Sequence, residues 1–260
     1  MWLASQLAGL TTSLLLFSLS CGSDGTPEAT TVEYKAALGT SPQCLEEVND
    51  AREAAGLAKF TAAESAEQKL PDPGEEALPD GEWKNLCTYL IPTQVETLAD
   101  QSPTNPFNGG TYAFKKLTDE QHSCKETVDY WKAAFKNFTG LPPSKKDAGD
   151  LYNSQDNVSF IALYNPSASA TADCRVVTCS QTTGVASLSA SESPDAGSAT
   201  AKSSSALLCK TVPTAFANET TAPFTQEQWD KIASSLTGST SIASPSLVIF
   251  GIVAFGITAL

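Results

Sequence analysis

The sequence predicts an α+β domain held by three disulfides, and three observations carry that prediction. Apolar residues recur with helical spacing in several segments that end at Gly or Pro. Two β-prone stretches, one around Cys174 and Cys179 and one at Ala206–Val212, are rich in Val, Leu and Thr. Once an export signal is set aside, six cysteines remain: Cys44, Cys87, Cys124, Cys174, Cys179 and Cys209. An even set in a secreted chain implies three bridges.

Export is read from both ends. The apolar run Leu14–Leu19 is followed by Ser20, Cys21 and Gly22, the pattern of a signal peptide over residues 1–22, although a basic start is missing. A bacterial lipoprotein signal with Cys21 acylated fits less well, since Ser18 stands where Leu is usual. At the other end Leu247–Leu260 is apolar, yet shorter than the about 20 residues of a membrane-spanning helix. Small residues Gly238, Ser239 and Thr240 and a short polar spacer precede it. That order is the signal for exchange of residues 238–260 for a GPI anchor, with Gly238 and Ser239 as attachment candidates. The sequons at Asn137, Asn157 and Asn218 are N-glycosylation candidates that agree with export.

Between these ends the elements follow in order. Residues 23–40, rich in Thr, Gly and Glu, read as a flexible leader to an ectodomain spanning 41–237. A helix follows Ser41-Pro42, with Cys44, Val48, Ala51 and Ala55 on one face, Glu46, Glu47, Asp50 and Glu53 on the other, and Gly56 as its stop. Residues 61–69 form a second helix closed by Pro71 and Pro73, and PDPGEEALPDGE is a solvated acidic loop. A short helix covers Glu82–Leu90, and 102–110 is a loop.

The clearest helix is Lys125–Phe138, with Val128, Trp131, Phe135 and Phe138 on one face, stopped by Gly140 and Pro142-Pro143. Val158–Tyr164 reads as a strand broken at Asn165-Pro166. On the strand that follows, Cys174 and Cys179 point to opposite faces about 16 Å apart, so they cannot bridge each other. Residues 184–205 lack aromatics and read as a disordered loop before the returning strand. Thr225-Gln-Glu-Gln228 is a capping box with Phe224 and Trp229 at the staple positions of a last helix.

Chemistry has little to work with. His122 is the one histidine, and no nucleophile elbow, zinc-protease, P-loop or dinucleotide motif occurs. No catalytic residue, cofactor site or metal site is predicted. A net charge of −13 argues against nucleic acid as a partner.

The segments VNDAREAAGL (48–57), DYWKAAFKNFTGLPPSK (129–145), NVSFIALYNPSASATADCRVVTC (157–179), ALLCKTVP (206–213) and PFTQEQWDKI (223–232) resemble the GPI-anchored surface antigens, the SAG family, of Eimeria-type coccidian parasites. That family in turn resembles the CAP superfamily of cysteine-rich secretory, antigen 5 and pathogenesis-related proteins. The resemblance implies a three-layer α-β-α sandwich on a cell-surface protein anchored in the outer leaflet. Its partners would be host-cell or host immune molecules, and an alternative role would be a lipid- or sterol-binding module. It also implies a Cys174–Cys209 bridge between neighbouring strands. Cys179, on the other face, then reaches Cys44 or Cys87, and Cys124 takes the one left. The CAP cleft uses two histidines with two acidic residues, so with His122 alone its metal site does not carry over.

Overall fold

The computed structural model describes residues 30–93, 107, 109–118, 123–185 and 200–238. The signal peptide, His122, Ser239 and the apolar run 247–260 lie outside these residues. The architecture is α+β. Strands β1 (Thr30–Leu38), β3 (Thr111–Leu117), β4 (Thr171–Val185) and β5 (Thr200–Val212) form an antiparallel sheet in the order β1-β4-β5-β3. The two-residue β2 (Thr61–Ala62) adds in parallel to β4.

Strand β4 is the centre of this sheet, and its side chains alternate between two apolar cores. On one face Cys174 joins α1 (Leu45–Ala54), α3 (Cys124–Ala133), α4 (Gln155–Leu163) and α5 (Gln226–Thr237) through Val48, Trp131, Phe160 and Ile232. On the other face Val177 and Cys179 pack with α2 (Glu82–Leu90) through Leu86 and Leu90, and with Tyr34, Leu70, Leu78 and Phe107. Cys174 is bonded to Cys209, directly opposite on β5. Cys179 is bonded to Cys87 on α2, and Cys44 to Cys124, which ties the start of α1 to the start of α3. Each core therefore has its own covalent tie to the sheet or between its helices.

The helix ends follow local chemistry. Gly56 takes a left-handed φ of 67°, and the Gly56 and Leu57 amides donate to Glu53 and Arg52, closing α1 with a Schellman turn. Ser123 caps α3, which tightens into a 3-10 turn over Ala134–Asn137. Both halves of the capping box at Thr225 and Gln228 are formed, and the Phe224 and Trp229 rings stack 6.4 Å apart.

Five expectations need correction. Val158–Leu163 belongs to α4, with Tyr164 as its C-cap, and not to a strand: the run is mostly apolar because the helix is buried all round, and without alternation such a run cannot be told from a strand. Residues 30–38 of the expected leader form β1, which docks along nine residues of β4. Residues 61–69 hold β2 and a turn, because the Lys210 ammonium ties the Glu67 and Lys69 carbonyls to the sheet. The expected loop 184–205 is shorter at both ends, since β4 runs to Val185 and β5 starts at Thr200; residues 186–199 lie outside the described residues. The acidic loop also packs: Leu78 is buried and its amide donates to the Tyr34 carbonyl on the outer edge of β1.

Candidate functional site

Buried charged groups are the first place to look for chemistry, and here Asp173, Lys210 and Arg52 are bound into the scaffold. Asp173 is fully buried on β4, where its carboxylate accepts from the Ser41 hydroxyl at 2.6 Å, the Leu70 amide at 2.8 Å and the Arg175 guanidinium. Lys210 stands opposite in the strand register, and burial lowers its pKa. Its side-chain nitrogen donates to two carbonyls, at 2.7 and 2.9 Å. Both groups are engaged by the scaffold. They staple the 61–72 segment over the sheet.

Arg52 is a second such anchor, and one the helical pattern gave no reason to single out. It is 1% exposed, donates to the Ala58 and Leu163 carbonyls, and lies 3.6 Å over the Phe60 ring. Burial pulls the guanidinium down to about 10, which leaves it charged at neutral pH. Its charge sits at the C-terminal end of α4, where the helix dipole favours a cation.

The sequon residues fall into three different settings. Asn218 is exposed, and its side-chain oxygen accepts from both the amide and the hydroxyl of Thr220. Asn137 is exposed and donates to the Asn157 side-chain oxygen at 2.7 Å. Asn157 is 4% exposed, and its own amide nitrogen donates to the Leu151 carbonyl. A glycan on that nitrogen has no room in the folded chain. Gly238 is exposed and ends α5 with a left-handed φ of 65°.

Among the described residues no group of three or more His, Cys, Asp or Glu could hold a metal ion, and no helix is long and apolar enough to cross a membrane. What the described surface does carry is a half-open cleft of about 490 Å³. It lies between the loop after α3 and the loop after β5, which are joined by the Lys146 amide donating to the Glu219 carbonyl. Lys145, Lys146, Tyr152, Asn153, Phe216 and Glu219 line it. The Tyr152 and Phe216 rings meet edge to face at 4.8 Å, and the Lys145 ammonium lies 5.2 Å from the Phe216 centroid. Tyr152 donates its hydroxyl to the Pro143 carbonyl, and burial pushes its phenol above the ordinary range. Sequence reading passed over this pair of lysines. The signal was two adjacent cations, directly after Pro142-Pro143-Ser144, in a chain of net charge −13.

Two comparisons bear on what the chain is. The sporozoite surface antigen (SAG) protein domain matches residues 40–251. The sporulated oocyst TA4 antigen of Eimeria tenella is 31% identical over 206 residues, covering 74% of this chain and 74% of that protein. No solved structure matches the chain.

Proposed function

The chain belongs to the sporozoite surface antigen (SAG) family, and from that membership we propose a non-enzymatic antigen, GPI-anchored in the outer leaflet and displayed toward the host for attachment or immune exposure. The family match is the observation that carries this reading. The scaffold supports it: the buried charges of Asp173, Lys210 and Arg52 are bound in structural hydrogen bonds, and three disulfides suit an extracellular setting. The anchor half rests on the order of small residues, spacer and apolar run from Gly238 onward. Gly238 lies past the last packed turn of α5, in the open, where a transamidase reaches it.

A CAP-like sandwich is the finer description we favour for the fold. Its support is the Cys-x4-Cys strand beside a returning Cys strand, with four helices against one face and α2 against the other.

Treatment of intact cells with phosphatidylinositol-specific phospholipase C tests the anchor. The protein should appear in the supernatant, and deletion of 247–260 should give direct secretion. Retention after complete lipase treatment, with the apolar run still present by mass spectrometry, overturns it.

A further inference from the structure

The cleft between the two loops carries two adjacent cations on a protein of net charge −13. Lys145 and Lys146 are exposed, and neither has a carboxylate within ion-pair distance among the described residues. Most other surface lysines of the helices are paired, as Lys125 and Lys132 are with Asp129 and Lys231 is with Glu227. Beside the two lysines stand planar and hydroxyl hydrogen-bonding groups, Asn153, Thr214, Thr220 and Glu219, and the partly exposed ring of Phe216. The volume falls in the range of small-molecule sites.

These features select a ligand class. Two unpaired ammonium groups favour an anion, and ammonium acts on it as a point charge without the bidentate fork of Arg. The mixed lining favours a ligand covered in hydroxyls over a sterol, whose apolar body would strand both lysines and Glu219 without water. The Phe216 ring offers an apolar surface to the C–H face of a sugar ring, as aromatic side chains do for flat apolar surfaces. We propose that this cleft binds an anionic saccharide unit, its carboxylate or sulfate answered by Lys145 and Lys146 and its hydroxyls by Asn153 and Glu219. The source of that saccharide, a host-surface glycan, rests on the reading of the protein as a displayed antigen. The binding itself does not.

The test is calorimetric titration of purified full-length protein in detergent with 3′-sialyllactose, with a heparin-derived sulfated disaccharide, and with lactose. At least one charged sugar should bind saturably and weaken as salt rises, while lactose binds at least about tenfold more weakly. The tighter of the two charged probes identifies carboxylate or sulfate as the anion. Lys145→Ala with Lys146→Ala should weaken binding at least about tenfold with an unchanged melting temperature, since both side chains are exposed. Glu219→Gln should tighten it, because a like charge is removed from the cleft. Equal binding of lactose, undiminished binding by the double variant, or no saturation by either charged sugar below about 10 mM overturns the proposal. Because no anchored or cell-borne protein is used, these outcomes are independent of the lipase experiment above.

Discussion

Replacing Ser159 by Ala tests how the outer edge of this sheet is closed. Among the described residues strand β3 has β5 on one side and no strand on the other, and the amide of Phe114 and the carbonyls of Tyr112 and Phe114 face outward. Three buried side chains answer them. Ser159 Oγ accepts from the Phe114 amide at 3.0 Å, Trp131 Nε1 donates to the Phe114 carbonyl at 2.9 Å, and Gln155 Nε2 donates to the Tyr112 carbonyl at 2.8 Å. Helices α3 and α4 thus seal with side chains what a fifth ladder would seal with backbone.

The Ala variant leaves the Phe114 amide without an acceptor where Ser159 is fully buried. An unsatisfied buried donor costs about 1–3 kcal/mol, and the better helix propensity of Ala offsets about 0.5 kcal/mol. The net loss of about 0.5–2.5 kcal/mol lowers the melting temperature by about 1–10 °C for a domain of this size. The change also removes the sequon at Asn157, so parent and variant are compared as material from a host that does not glycosylate. Thermal unfolding by circular dichroism reads the loss, and hydrogen exchange reads its place through faster exchange of the Phe114 amide. A melting temperature within about 1 °C of the parent, with Phe114 still protected, refutes the edge-sealing argument.

Three further outcomes are expected. Glycopeptide mapping of the protein from its native host should find Asn157 bare whatever the state of Asn137 and Asn218, because the Asn157 amide is enclosed and bonded to Leu151; a glycan there in folded protein contradicts the burial. Removing the Cys87–Cys179 bridge, which spans 92 residues, should cost more than removing Cys174–Cys209, which spans 35, by about 0.9 kcal/mol in the chain-entropy account, read as denaturant midpoints of the two double Ala variants. Gly110→Ala should destabilise by about 2 kcal/mol or more, since φ is +92° and an added Cβ would lie 2.8 Å from the Thr211 carbonyl oxygen; a melt equal to the parent's shows that the β3 start can shift.

Much of the fold was legible where local chemistry acts alone. The capping box at Thr225, the Gly56 stop and the Trp131 face follow from nearest neighbours, and the structure contains all three. What misled was burial imposed from outside the segment. Phe160, Ile161 and Leu163 are β-prone in isolation, but α4 is enclosed on every side, so its apolar residues carry no helical stripe to read. β1 is a different case: Val32, Tyr34, Ala36 and Leu38 alternate with Thr31, Glu33, Lys35 and Ala37, a period of two that the leader reading passed over. Gln155 and Ser159 look like surface residues of a helix until β3 is placed beside them. The cleft was illegible for a related reason, since its lysines and Phe216 lie about 70 residues apart and meet only through the Lys146–Glu219 backbone bond.

Strand β4 shows why such a chain keeps its shape with so little to spare in local propensity. Cys174 and Cys179 alternate in and out because the side-chain period of a strand is two, and that parity sends one bridge to β5 and the other to α2. A register slip of one residue between β4 and β5 would turn the Val177 and Cys179 face toward the wrong core and part Cys174 from Cys209. The bridges therefore fix register as well as lowering chain entropy. With the sheet locked in this way, the 61–72 and 139–150 segments and the loop after β5 are held by a few anchors each: the Asp173 and Lys210 side chains for the first, the Lys146–Glu219 backbone bond for the other two. Substitution at exposed positions in those loops, Lys145 and Lys146 among them, leaves both cores and all three bridges untouched. Surface chemistry and fold stability are in this way separable in one small domain.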